Sequence, residues 1–325
     1  MTLEREYSLN VGGTVLPIPC FFPSICSIKT NLSPLEHLRV LVAVDHPLFL
    51  ISAYDIHHAT IEERAAIEDL LSQSYAKKRT ILLDSGNYEA YWMRDNTWIP
   101  AHLATILGKQ PFHVAFCYDN QCPPATVDAV VDDVEYCVLR EQASSRHGTI
   151  LPIVHASRQI LTEVIRRLVE RLHPLVLAVP ERALGDGIFA RAEMVRRIRC
   201  ALGQVGYYCP LHLLGTGNPL SILIYAMCGA DSFDGLEWYQ TVVDHTSGRL
   251  FHLHHWDFFS DQTPMGGLKD LPYHHLVLAH NLIFYRDWMN SLRNALRENK
   301  VLEFATTYLP ERTLDRIHQL LTEIL

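Results

Sequence analysis

Several signatures that would settle a function at once are missing. Eight cysteines are spread from Cys20 to Cys228, with no Cys-x-x-Cys pair and none in the last 97 residues. In a chain of this size they are expected to be reduced and buried. No Gly-x-Gly-x-x-Gly follows an early strand, and Gly215-Thr216-Gly217 comes late and lacks a third glycine, which counts against a dinucleotide fold. No Gly-x-Ser-x-Gly occurs, so a nucleophilic serine is not supported. Positive charge is in the minority: 28 Lys and Arg against 36 Asp and Glu give a net charge of −8. That argues against a surface coated for nucleic acid, though not against a local basic groove. Most of Arg166, Arg167, Arg171, Arg191, Arg196, Arg197 and Arg199 are read as solvated helix faces. The longest apolar stretch, Val40 to Tyr54, is interrupted by Asp45 and His46, so no bilayer span is expected. The opening Met1-Thr2-Leu3-Glu4-Arg5-Glu6 is acidic and polar rather than leader-like, and a cytoplasmic location is expected. Repeats, low-complexity tracts and obvious linkers are also lacking, which favours a single domain over 1–325.

What is present is a full apolar complement, 48% of 325 residues, arranged in alternation. Short runs rich in Val, Ile and Leu predict strands at 39–44, 48–53, 80–84, 113–118, 149–154, 175–179, 211–215 and 230–233. Their lack of polar alternation is the pattern of parallel strands covered on both faces. Between them, amphipathic stretches predict helices over about 61–76, 124–140, 157–172, 188–202 and 219–228. The first opens on a Thr60-Ile61-Glu62-Glu63 capping box. About eight βα units favour a closed (β/α)8 barrel of the TIM type, an α/β fold, over an open sheet. Residues 238–272 lose periodicity and read as an irregular insertion or small hairpin. A long helix from Tyr273 to about Asn299 and a terminal helix led by Pro310 fill 273–325.

In such a barrel the C-terminal strand ends converge on one mouth. In order they carry Asp84, Asp119, His155, the Val179-Pro180 turn, Gly215 and Asp234. Three acids and a histidine make an active-site composition, not a phosphate cradle. Asp84 and Asp234 each follow an apolar run and precede small, flexible residues. Two such carboxylates suffice for displacement at a sugar carbon, one attacking and the other handling protons. The plainer alternative is that each caps the next helix. His252-Leu253-His254 places two imidazoles on one strand face, a metal-like pairing. Among 18 histidines this is weak grounds for the other reading, a metal-dependent hydrolase barrel.

The motifs in sequence resemble the tRNA-guanine transglycosylase superfamily over most of the chain. Thr14-Val15-Leu16-Pro17-Ile18-Pro19 is similar to its opening strand, and Asp84-Ser85-Gly86-Asn87-Tyr88-Glu89 to its Asp-Ser-Gly-Gly-Tyr/Phe-Gln signature. Ala115 to Asp119, Leu151 to His155 and Leu177 to Val179 stand where the family has its next three strand motifs. Leu213-Leu214-Gly215-Thr216-Gly217-Asn218-Pro219 through Gly229-Ala230-Asp231-Ser232-Phe233-Asp234 is the strongest stretch. Leu278-Ala279-His280-Asn281-Leu282-Ile283-Phe284-Tyr285 looks like its late helix.

The resemblance implies an enzyme, a pentosyltransferase that exchanges guanine for a 7-deazaguanine base through a covalent aspartyl-sugar intermediate. Asp234 would be the nucleophile and Asp84 the proton-handling acid. Ser85, Tyr88, Asp119, His155, Val179, Leu214 and Gly215 would surround the base, with Asp119 on its guanidine-like edge and Tyr88 and Leu214 on its faces. Some members act only as non-catalytic subunits, but retention of Asp234 argues against that role here. The family's zinc site needs three cysteines before the late-helix histidine. His280 matches that histidine, yet no cysteine follows Cys228. Neither a zinc ion nor another cofactor is therefore expected, unless His252, His254 or His255 substitute. The segment after the nucleophile also departs, reading Asp234-Gly235-Leu236-Glu237-Trp238-Tyr239-Gln240. Loss of both tRNA-facing elements favours DNA over tRNA as the nucleic acid, with 7-cyano-7-deazaguanine as the entering base. A helper protein that opens duplex DNA, and a homodimer, are the further partners considered.

Overall fold

The computed structural model describes residues 4–323. It begins with an antiparallel hairpin, β1 (Ser8–Val11) and β2 (Thr14–Pro17). Leu9, Val11, Leu16 and Ile18 of this segment are buried, and Thr14 bonds His113 at the start of a barrel strand (3.3 Å). The hairpin therefore closes the N-terminal floor of the barrel.

Eight parallel strands follow: β3 (Cys20–Ile25), β4 (Leu48–Ser52), β5 (Thr80–Asp84), β6 (Val114–Phe116), β7 (Thr149–Leu151), β8 (Leu177–Pro180), β9 (Leu211–Leu214) and β10 (Ser232–Gly235). Neighbours in sequence are neighbours in space, and β10 returns beside β3. The ring closes between β7 and β8 just past Leu151. There the Val154 N–H donates to the Ala178 carbonyl (2.9 Å) and the Ala178 N–H to that of Pro152 (3.0 Å). This is the expected (β/α)8 barrel. Helices cover it outside, among them Ile61–Ala76, Val127–Ser144, Leu161–Leu172, Ile188–Leu202 and Pro219–Met227.

One element departs from expectation. The run 39–44 is not a strand but the end of a helix, Pro34–Ala43, opened by a capping box of Ser33 and Glu36. Its valines face the core as well from a helix as from a strand, and the cap decides. The first barrel strand is instead β3, whose six residues are all buried. Pro23 inside it and the Ile18-Pro19 pair before it disguise it, because proline removes a ladder donor. Three short helices, Ala53–His58, Asn87–Met93 and Pro100–Leu107, were also not anticipated.

Residues 238–272 form the expected small hairpin, β11 (Thr241–Val243) and β12 (Leu250–His252), followed by 3-10 turns. The long helix Tyr273–Arg297 seals this side, stacking Tyr285 on Phe21 of β3 with ring centroids 4.3 Å apart. Arg166 pairs with Glu163 and Glu170, and Arg171 with Asp132 and Glu135, as solvated faces predict, whereas Arg199 is packed inward against the buried Asp231. No described helix is long and apolar enough to cross a membrane.

Candidate active site

The strand ends surround a cavity of about 350 Å³ at the C-terminal mouth. Asp84, Ser85, Tyr88, Asp119, His155, Leu214, Gly215 and Asp234 all line it. Val179 is fully buried in the wall of β8, and its neighbour Pro180 reaches the cavity instead. Asp84 and Asp234 stand on β5 and β10, three strand positions apart in a ring of eight, so they face one another across the opening.

Asp234 is held by three donors. The Ser24 hydroxyl reaches Oδ2 at 2.9 Å, while the Gly215 N–H and His212 Nε2 reach Oδ1 at 3.0 and 3.1 Å. His212 Nδ1 meets the Ser232 hydroxyl at 2.6 Å. With that hydroxyl as donor, the network assigns the imidazole proton to Nε2, facing Asp234. Gly215 has φ +74°, a left-handed conformation that glycine adopts without strain and that aims its N–H at the acid. Ser24 and His212 escaped the sequence reading. Ser24 sits in the disguised strand, and His212 points inward from mid-strand, where a histidine passes for core.

Asp84 ends β5, and its Oδ2 accepts the Gly86 N–H at 3.2 Å. This is an Asx turn rather than a helix cap, since Gly86 itself is the N-cap of the Asn87–Met93 helix and no side chain caps it, and the acid faces the cavity. Burial in the protein wall is the main force that raises its carboxyl from 3.8 to about 7, and the nearby charges of Asp119 and Asp234 add to it. Gly86 cannot be replaced easily: φ is +84° and a Cβ would lie 2.6 Å from that of Tyr54.

Asp119 lies beyond β6 and shows the opposite behaviour. Burial opposes its ionisation, but hydrogen bonding and charge from His155, with a further bond from Asn87, outweigh it and hold the carboxyl below its ordinary range. His155 Nε2 is 2.6 Å from Oδ2 and Gln121 Nε2 3.2 Å; Asn87 and Ser85 reach Oδ1 at 2.7 and 3.1 Å. Neither Asn87 nor Gln121 had been singled out. Glu237 adds a further acid to the lining. Burial raises its carboxyl from 4.5 to about 7, and Asp234 contributes.

The family zinc site does not fit this chain. His280 is fully buried, with Nε2 at 2.8 Å from the Val243 carbonyl and Nδ1 at 3.2 Å from the Thr263 hydroxyl. Both ring nitrogens are engaged, and no cysteine lies between Cys228 and His280 to supply the thiolates. His252, at the end of the hairpin, and His254 and His255, in the turn after it, are exposed.

No protein-family model matches the chain. Among curated proteins it is 26% identical over 231 residues to a queuine tRNA-ribosyltransferase of Sphingopyxis alaskensis, covering 58% of this chain and 59% of the relative. It is 24% identical over 240 residues to a tRNA-guanine(15) transglycosylase of Methanopyrus kandleri, covering 71% and 50%. The chain thus matches between half and three fifths of the length of these relatives. Two relatives of this kind, together with a barrel whose mouth gathers the motif residues, support the resemblance to the tRNA-guanine transglycosylase superfamily.

Proposed function

We propose that this chain is a base-exchanging transglycosylase that replaces guanine in a nucleic acid by a 7-deazaguanine. The observation that carries the reading is the contrast between two acids facing each other across one cavity. Asp234 is oriented by three donors. Asp84 holds its proton up to about pH 7.

In the first half-reaction an Asp234 oxygen attacks the anomeric carbon. The bond from that carbon to the guanine nitrogen breaks, an aspartyl ester forms, and the departing nitrogen takes the Asp84 proton. In the second, the entering base gives its proton back to Asp84, attacks the same carbon and releases the carboxylate. Two displacements retain configuration. No metal is required at the reacting carbon. Asp119 is suited to the guanidine-like edge, since a carboxylate accepts paired N–H donors. Its lone pairs already take four protein donors, so the base must displace some of them. Gln121, at 3.2 Å the longest of the four, is the first to yield.

DNA is favoured as the nucleic acid because the zinc-binding elements that face tRNA in the family are missing here. The relatives' names favour tRNA. A flipped or unpaired guanine is needed either way, because a barrel mouth cannot reach the glycosidic carbon inside a duplex. The test supplies guanine-containing DNA and tRNA separately with labelled guanine. Label should enter one of them with the wild type and neither with Asp234→Ala, which should also form no covalent complex. Exchange by Asp234→Ala would refute the nucleophile assignment, and label in tRNA alone would refute the DNA preference.

A further inference from the structure

Beside the acid pair, at the same mouth, lies a second constellation. Cys26 follows β3, Asp55 lies in the helix after β4 and Glu89 in the helix after β5, so three adjacent strand ends contribute one side chain each. Their sulfur and oxygen atoms lie within 4.8 Å of one another, and all three residues are buried. Glu89 is 3% exposed, and its Oε2 is buried without a hydrogen-bond partner. A buried carboxylate oxygen left unpaired is costly, and such groups ordinarily have a ligand. The other two members are already supported from behind. The Ile28 N–H donates to Cys26 Sγ at 3.3 Å and the Ser27 N–H to Asp55 Oδ2 at 2.9 Å. Donors of this kind orient ligand atoms around a metal and stabilise their charge.

We infer that Cys26, Asp55 and Glu89 form a binding site for a divalent cation of the zinc class. A tetrahedral ion with bonds of roughly 2.0–2.3 Å holds its ligand atoms about 3.5 Å apart, so a small contraction of the cluster closes the shell. Cys26 and Glu89 both line the cavity, which leaves the fourth position on the open side. Burial raises Asp55 to about 6 and lifts Glu89 and the Cys26 thiol well above their ordinary ranges. With all three ligands deprotonated, the bound site carries a net charge of −1. The ion would tie β3, β4 and β5 together below the acid pair. This inference does not rest on the base-exchange reading, since it concerns different side chains.

The test loads the full chain with Zn2+ or Co2+ alone and removes excess ion by dialysis. One ion per chain is expected, with X-ray absorption fitting one sulfur and otherwise oxygen neighbours, and with a thiolate-to-cobalt charge-transfer band. Cys26→Ser should abolish that band, and Glu89→Gln should weaken binding at least tenfold. A variant lacking the exposed pair, His252→Ala with His254→Ala, should bind as the wild type does. No stoichiometric ion, an ion without a sulfur neighbour, or an ion lost with the histidines and kept in Cys26→Ser and Glu89→Gln would each overturn the site. The wild-type spectra decide the matter even if a variant fails to fold.

Discussion

Asp84→Asn should make the protein more stable while destroying its activity, and the gain should depend on pH in a defined way. The unfolded chain ionises this carboxyl near 3.8, whereas the folded chain does so at about 7. Between those values the unfolded state sheds a proton that the folded state keeps. Stability therefore falls as pH rises through the window and levels off above it. A rise of that size is worth about 4 kcal/mol at most. Asp84 borders a cavity open to water and shares its field with Asp119 and Asp234, so about 1–3 kcal/mol is the reasonable share. Asparagine has nearly the same shape and keeps an oxygen for the Gly86 N–H. The penalty should then vanish. Denaturation followed at pH 4 and pH 8 would show nearly equal stability at the first and a more stable variant at the second, by several degrees in Tm. A difference independent of pH, or a less stable variant at pH 8, would refute the claim that the mouth stores electrostatic strain in this acid. The readout does not depend on knowing the substrate.

Three further predictions follow from the same geometry. Ser24→Ala removes one donor to Asp234, a charge-assisted bond worth about 1.5–3 kcal/mol; kcat should fall roughly 10- to 100-fold with KM for the base little changed, and an unchanged kcat would remove Ser24 from the site. Asp119→Asn removes the charge paired with His155 and one of the two oxygens that serve four donors, and should cost about 3 kcal/mol, by the usual effect of breaking a buried pair. Because Asp119 titrates below the ordinary range, its stabilising effect is present above about pH 4 and lost as pH falls, so the variant should show a flatter acid limb in denaturation curves. Gly86→Ala forces a Cβ to 2.6 Å from Tyr54 at φ +84° and should lower stability by about 2–4 kcal/mol; an unshifted Tm would contradict the tight turn.

The barrel was legible because seven of the eight strands are continuous apolar runs, which few other architectures tolerate. Its first strand was hidden by prolines whose missing donors a central position ordinarily forbids. The run at 39–44 took its place because valines satisfy a helix face buried against a barrel as well as a strand. The count of eight came out right through two errors that cancel. At the site, the acids were readable from their position, at the point where an apolar run stops. The groups that orient them were not. Asn87, Gln121, Ser24 and His212 are ordinary polar residues whose roles exist only once distant strands are brought side by side. Ser24 and Asp234, for example, are 210 residues apart in sequence.

The charge on the cavity walls narrows what can enter. Among the described residues lining it, Asp84, Glu89, Asp119, Glu181, Asp234 and Glu237 are acids, and Arg182 is the one arginine or lysine. A phosphate driven into such a space would meet repulsion at low dielectric with little to offset it. A neutral purine with N–H groups on one edge would meet acceptors instead. The polyanionic strand must then stay at the rim while one nucleoside is drawn inward. Under the proposed function, this would reconcile a net charge of −8 with a nucleic-acid substrate, because recognition would be local to the extruded base. It also predicts weak binding to oligonucleotides that lack an accessible guanine. Fluorescence anisotropy with matched strands, one carrying an unpaired guanine and one an abasic position, should show the abasic strand binding at least tenfold more weakly. Equal affinity would mean that the backbone, not the base, provides the binding energy.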